Sequence, residues 1–508
     1  MSTRTKSTVL NIYGSIIYQL ISAVSNIVVR KIFLIYFSAD YLGLDGLFSN
    51  LINMLTLVDF GVGASCVYFI IRALAGNDEK ELSLYYNFYS RIYKIVGIII
   101  VIIGIILSFN LGLFIDDSSM VFYGDHFIRM VFILTFLRSI SFYFFSCPKT
   151  TLLYAQKNYI NMLINIVVTI IYTVVKMVTL IAFHNYYLYL IVLLLETLTN
   201  YAIGYIIFKK YFPNLKVHRS EANKVASNVF GYSKKIAFNG ISLFLFNSTD
   251  NIIISKFLGL SIVGIMSNYY MIVNMITLVA NQLFEAATAS ITNYINDKKN
   301  DNVERLEELM NNLNFIAFAI SCFCVTCLFS LTDSFIGLMY GWGLVLDRSI
   351  IIAMVINVII CIFQNPLSTY SNGKGLLADE VKYTMIMAVV NIILSIALSQ
   401  YIGVLGVLIG TIISNMILLA GRFFVVFNGL KMDKKVYIKK VGLYFIIVLF
   451  NIVLLSLLFT DNAANFGGFI MRGIASVVIV GIEILLFGKT KEFNAMFGFI
   501  KSFIRVGR

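Results

Sequence analysis

The chain has 508 residues, 59% of them hydrophobic and 13% charged, with mean hydropathy +0.87. A soluble chain carries about 25% charged residues, so the composition excludes a water-soluble protein and points to an integral membrane protein. The net charge of +13 would suit nucleic acid, but the placement of the charges along the chain argues against that partner.

Each span needs about 20 apolar residues. Apolar runs separated by short polar breaks predict about fourteen spans, near 9–37, 41–72, 91–115, 125–147, 159–183, 186–208, 232–256, 259–292, 310–331, 348–371, 380–400, 403–425, 439–459 and 467–488. The first run is interrupted by Asn11 and Gln19 and no small-residue cleavage site follows, so it is expected to stay as an anchor. With the N-terminus placed inside, 31 of the 39 Lys and Arg fall in inner segments. This positive-inside bias predicts both termini in the cytoplasm and ties the basic balance to topology, with no nucleic acid partner.

The first span carries a polar stripe, Asn11, Ser15, Gln19, Ser22, Asn26 and Arg30, at the spacing of one helix face. An ionised side chain in lipid costs about 2.5–3.5 kcal/mol on insertion scales, so such a stripe belongs against other helices or along a wet path. The fifth span repeats the pattern with Asn161, Asn165, Thr169, Tyr172, Lys176 and Thr179. At about 1.5 Å per residue, Lys176 and Arg30 lie roughly 25 and 30 Å from the inner ends of their helices, in the outer half of the membrane. Asn239 in span 7 and Asn281 in span 8 join Gln19, Asn26, Asn165 and Tyr172 as candidate cavity-lining groups. Asp59, Glu196, Asp250 and Glu285 are candidates for ion coupling or gating, and equally for buried partners of the cations. Interhelical hydrogen bonding is the competing explanation for the single Asn and Ser residues.

The sequence echoes itself. YLGL, GLFSN and NMLTLV between Tyr41 and Val58 recur in order as FLGL, GIMSN and NMITLV between Phe257 and Val279. An acidic residue follows each copy, Asp59 and Glu285. The copies are six spans apart, an even number, so they share one membrane orientation as a parallel repeat. The expected organisation is a six-helix lobe at 1–208, a cytoplasmic linker at 209–231 and a second six-helix lobe at 232–425. Two additional helices at 426–488 and a basic tail at 489–508 complete it.

Cys322, Cys324 and Cys327 include a C-x-x-C, but in an apolar span without a second pair or a nearby His they are expected to be packing residues. No nucleotide-binding glycine loop and no soluble segment of catalytic size is present. An enzyme, a metal site and a cofactor are therefore not expected, and transport would draw on an ion gradient, the membrane potential or the substrate's own gradient.

The basic N-terminus, the polar first span and the stretch YLGLDGLFSNLINMLTLVDFGVGAS resemble the start of Wzx-type polysaccharide flippases of the multidrug/oligosaccharidyl-lipid/polysaccharide exporter superfamily. STDNIIISKFLGLSIVGIMSNYYMIVNM, from Ser248 to Met275, resembles the start of that family's second half. The resemblance covers essentially the whole chain. It implies an all-α polytopic fold of the MATE and MurJ type in a bacterial cell membrane. It also implies a flippase that moves a polyprenyl-pyrophosphate-linked oligosaccharide to the outer leaflet by alternating access, alongside a polysaccharide polymerase and a chain-length regulator. A hydrated cavity would take the sugars, and Arg30 and Lys176 are the candidates for the pyrophosphate. A cation-coupled multidrug exporter of the same superfamily is the chief alternative, kept open by the four acidic residues, and a peptidoglycan-precursor flippase is a third.

Overall fold

The computed structural model describes residues 3–59, 61–76, 78–213, 215, 225–231, 233, 249–296, 303–429, 433–459, 463 and 465–496. Among these, every regular element is a helix. The chain divides into two compact units, Met1–Gly264 and Ile265–Arg508. Eleven helices among the described residues are long and apolar enough to cross a membrane.

In the first unit the helices are α1 (Thr3–Tyr36), α2 (Ala39–Leu55), α3 (Val62–Ala75), α4 (Glu79–Ser108), α5 (Asp117–Tyr123), α6 (Asp125–Phe145), α7 (Cys147–Leu152), α8 (Asn158–Phe183), α9 (Tyr186–Tyr211) and α10 (Asp250–Leu258). Neighbours pack in the sequence α1 on α8, α8 on α9, α9 on α6, and α6 on both α2 and α4, with α3 against α4. The core lies on α2, where Leu44, Leu47, Phe48, Leu51 and Ile52 recur at helical spacing and are buried. Phe48 meets Phe132 of α6 edge to face with ring centroids 5.2 Å apart. Lys256 of α10 donates to the carbonyls of Gly112 and Ile115 at 3.1 and 3.0 Å, which satisfies backbone oxygens just after α4.

The predicted second span, 41–72, is two helices. After Leu55 the backbone tightens into a 3₁₀ turn, Thr56–Asp59, and Gly61 adopts a left-handed conformation (φ 70°) before α3 begins. Two echoing sequence blocks are brought together at the other end of α2. A Cβ on Gly43 would stand 2.0 Å from the Leu260 carbonyl oxygen, and one on Gly264 would stand 1.8 Å from that of Ala39. Only hydrogens fit between these backbones, so the first residues of the next helix, α11 (Leu260–Asn296), are counted with the first unit.

The second unit holds the rest of α11 with α12 (Val303–Tyr340), α13 (Arg348–Lys374), α14 (Leu377–Gly429), α15 (Lys434–Leu458) and α16 (Phe466–Leu486). α14 leaves helical geometry at Ile402 and Gly403, which divides it where the sequence predicts two spans. The last two spans pack on α12. Ser330 and Ser476 share a hydrogen bond of 2.7 Å, and Phe315, Phe318, Tyr444 and Phe487 form an aromatic cluster. Beyond the spans, Glu492 accepts from Lys440 at 2.5 Å. Burial pushes the Glu492 carboxyl up, but the hydrogen bond and charge of Lys440 outweigh it and hold it below the usual carboxylate range.

Two outcomes are expected. Gly43→Val or Gly264→Val forces backbones apart and lowers stability by about 1–3 kcal/mol, read as a lower unfolding temperature in detergent, whereas Gly442→Ala, in open space, leaves it unchanged. Because the Glu492 carboxyl is depressed, its stabilisation is present above about pH 4.3 and is lost as pH falls below it. The melting difference between the native chain and Glu492→Gln should therefore be seen at pH 7 and vanish in acid.

Candidate functional site

The α8 stripe is zipped against α7 and α9. Lys149 of α7 donates to Asn165 Oδ1 at 2.8 Å and to Asn200 Oδ1, and Asn200 Nδ2 also donates to Asn165 Oδ1 at 3.0 Å. Further along, the Tyr172 and Thr199 hydroxyls lie 2.8 Å apart, and Lys176 Nζ donates to Glu196 Oε2 at 3.1 Å. These rungs climb about 16 Å along α8 between Asn165 and Lys176. The Lys149 stem lies on bare backbone, since a Cβ on Gly204 would stand 2.6 Å from its Cγ. The Lys149 carbonyl is taken by Asn161 Nδ2 at 2.9 Å. Between α7 and α8 the chain makes a wide π-type turn at Leu153–Lys157, in which Gln156 is left-handed (φ 60°). A non-glycine residue in that region is strained and is held there by its surroundings.

On α1 the packing face and the polar stripe are different faces. Ser25, Val29 and Phe33 are buried, and Ser25 shares a hydrogen bond with Thr173 of α8. Gln19 and Arg30 are half-buried and Asn26 is exposed. Asn11, at the start of the stripe, accepts from the Tyr159 backbone N–H at 2.6 Å and so serves the first turn of α8. Around the half-buried Tyr189 ring the interacting charges are Asp45, Arg138, Arg30 and Glu196. Arg138 faces Asp45 at 3.9 Å.

Asp59 sits in the break between α2 and α3. One carboxylate oxygen accepts from the Gly63 N–H at 3.0 Å and the other from the Tyr93 hydroxyl at 3.1 Å. Gly63 must be bare, because a Cβ there would be 1.8 Å from the Tyr93 oxygen. The Tyr93 ring packs edge to face on that of Tyr89, with centroids 4.4 Å apart. A cavity of about 400 Å³ opens beside the carboxylate, lined among others by Asn53, Thr56 and Ser139.

The remaining predicted residues are placed apart from these clusters. Asp250 opens α10, and Asn281, exposed on α11, accepts from Asn365 of α13 at 3.2 Å. Asn239 and the side chain of Glu285 lie outside the described residues. Sequence reasoning missed Lys149, Thr199 and Asn200. Glu196, Thr199 and Asn200 share one face of α9 at i, i+3 and i+4, and that spacing was the available signal. It also missed Glu380, Asn415 and Arg422 of the buried network in the second unit. There, Arg422 donates to Glu380 and Gln364 (3.0 and 2.7 Å), Gln364 to the Asn415 carbonyl (3.0 Å), and Asn415 to Asn357 (2.8 Å).

Residues 46–343 match a family described as polysaccharide biosynthesis protein. No curated protein matches the chain. Among solved structures, the lipid II flippase MurJ in an inward closed conformation superposes with a TM-score of 0.66 at 14% identity, over 94% of this chain and 98% of that one. An inward-facing multidrug resistance MATE family transporter of the MOP superfamily gives 0.62 at 15% identity, over 84% and 96%. A Vibrio cholerae MATE transporter gives 0.55 at 12%, over 85% and 99%. At these identities the likeness establishes a shared all-α polytopic fold.

The cavity beside Asp59 should admit water. With Thr56→Cys, a small water-soluble thiol reagent is expected to label position 56, while the fully buried native Cys66 (0% exposed) stays unreacted. Equal protection of both would mean that the cavity is dry.

Proposed function

Because the chain belongs to the polysaccharide biosynthesis protein family, we propose that it is a flippase for a polyprenyl-pyrophosphate-linked oligosaccharide. It would carry the sugar head from the inner to the outer leaflet of a bacterial cell membrane by alternating access, before polymerisation into capsule, O-antigen or exopolysaccharide. In this reading both termini are cytoplasmic, and a polymerase and a chain-length regulator act on the delivered substrate. The observation that carries the reading is the charge balance of the first unit: Arg30, Lys149 and Lys176 lie on or beside the polar faces of α1 and α8, and Lys149 is held by amide oxygens where a carboxylate would neutralise it. A site weighted toward cations favours an anionic head group.

Arg30 is the preferred pyrophosphate ligand, since a guanidinium presents two parallel donors to phosphate oxygens. Lys176 already has an oxygen partner in Glu196, so its part is an exchange in which the phosphate competes with that carboxylate. Gln19 and Asn26 offer hydrogen bonds to sugar hydroxyls, with Asn165, Tyr172, Asn239 and Asn281 as further lining groups. Asp59 and Glu285, and with them Glu196 and Asp250, are the ion-coupling or gating groups. A cation-coupled multidrug exporter is the second reading, and the cavity beside the Asp59 carboxylate is the observation that favours it.

Arg30→Ala is expected to abolish surface polysaccharide at unchanged protein level, with partial activity in Arg30→Lys. Normal polymer in Arg30→Ala would remove Arg30 from the site. Lys176→Ala alone would strand a partly buried carboxylate and destabilise the fold. The cleaner test is Lys176→Met with Glu196→Gln, for which we expect a folded protein and little polymer. Normal polymer in that pair would make the ion pair purely structural.

A further inference from the structure

A second cavity, of about 1730 Å³, lies in the first unit between α4, the junction of α6 and α7, and the end of α9. It is separate from the Asp59 cavity and from the α8–α9 ladder. It exceeds the roughly 300–1,000 Å³ of a site for a drug-sized molecule, so it has room for a long amphiphile. Among its described lining residues are three cations, Arg91, Lys94 and Lys209, and no carboxylate. All three cations are exposed at its rim. Its walls are aromatic: Tyr86 stacks on the buried Phe208 with centroids 5.0 Å apart, and Lys209 lies 4.8 Å over the Tyr205 ring.

The depth of the cations matches a lipid interface. From the far ends of their helices, Lys94 is about 21 Å from Ser108 and Lys209 about 35 Å from Tyr186. The hydrocarbon layer is about 30 Å thick, so the rim straddles its boundary on the face where Lys and Arg concentrate, and Arg91 and Lys94 can reach that boundary with their long side chains. A basic rim over an aromatic, apolar wall is complementary to a phosphate carried on a hydrocarbon chain. We propose that this cavity is a binding site for an anionic phospholipid of the lysine-rich leaflet, with its phosphate at Arg91, Lys94 and Lys209 and its acyl chains along the aromatic wall.

The test is lipid retention by the purified full chain, counted by native mass spectrometry after incubation with phosphatidylglycerol, with phosphatidylcholine of the same chains, or with inorganic phosphate. The native chain should retain phosphatidylglycerol against a detergent wash and keep neither of the others. Each basic residue near an anionic surface contributes about a fivefold gain in affinity, so replacing all three by Ala should weaken retention on the order of 100-fold. The singles Lys94→Ala and Lys209→Ala, each weakened about fivefold, keep the test decisive if the triple variant does not fold. Lys434→Ala with Lys435→Ala, basic positions outside the cavity, should retain lipid like the native chain. Equal retention of phosphatidylcholine, capture of inorganic phosphate, displacement by a polyprenyl phosphate at equal concentration, or undiminished retention in the cavity variants would each overturn the proposal.

Discussion

An ammonium group inside an apolar helix bundle has to find oxygen, and most of the first unit's arrangement follows from how two lysines do so. Lys149 reaches the amide oxygens of Asn165 and Asn200, and Lys176 reaches Glu196. These contacts set the rotation of α8 against α9 more tightly than Leu, Ile and Val could, because apolar side chains are nearly indifferent to which of them meets a neighbour in lipid. The geometry that delivers Lys149 is itself demanding. It needs a glycine on α9 at position 204 and a left-handed Gln156 in the turn that feeds α8.

Alongside this polar constraint runs a steric one. α2 crosses the start of α11 with Gly43 and Gly264 at backbone contact, and its other end breaks at Asp59 where Gly61 turns the chain. One helix thus carries a fixed close contact at one end and an interrupted end beside a cavity at the other. Residual N–H groups at a helix break favour a carboxylate, and Asp59 accepts one of them from Gly63. Tyr93 of α4 donates to the other carboxylate oxygen, which ties the break to α4.

The fold class was readable because a bilayer demands about 20 apolar residues per span, and the polar stripes of α1 and α8 were readable because they recur at helical spacing. The point where α14 bends at Gly403 also showed, as a polar gap between two apolar runs. The break in span 2 did not, since its apolar run continues through it and only Gly61 and Gly63 mark it. Lys149 was hidden differently: it lies at the end of a predicted span, where a lysine reads as a topology signal, and only the fold turns it inward toward Asn165. The same holds for Arg422, counted as an inner-loop charge but bonded to Glu380 and Gln364. Spacing along one helix reports which residues share a face, while the partner across the interface comes only from packing.

The family and the fold leave the choice between an anionic lipid-linked sugar and a cationic drug to the charge balance of the first unit. The most direct measurement places the purified chain in vesicles with a fluorescent polyprenyl-pyrophosphate oligosaccharide in one leaflet, and follows its exposure to a quencher confined to the other side. A matched experiment follows the movement of a cationic dye. A flippase for the pyrophosphate-linked sugar gives protein-dependent exposure of that lipid and no movement of the dye. Movement of the dye, with the lipid-linked sugar left in its starting leaflet, would contradict that reading.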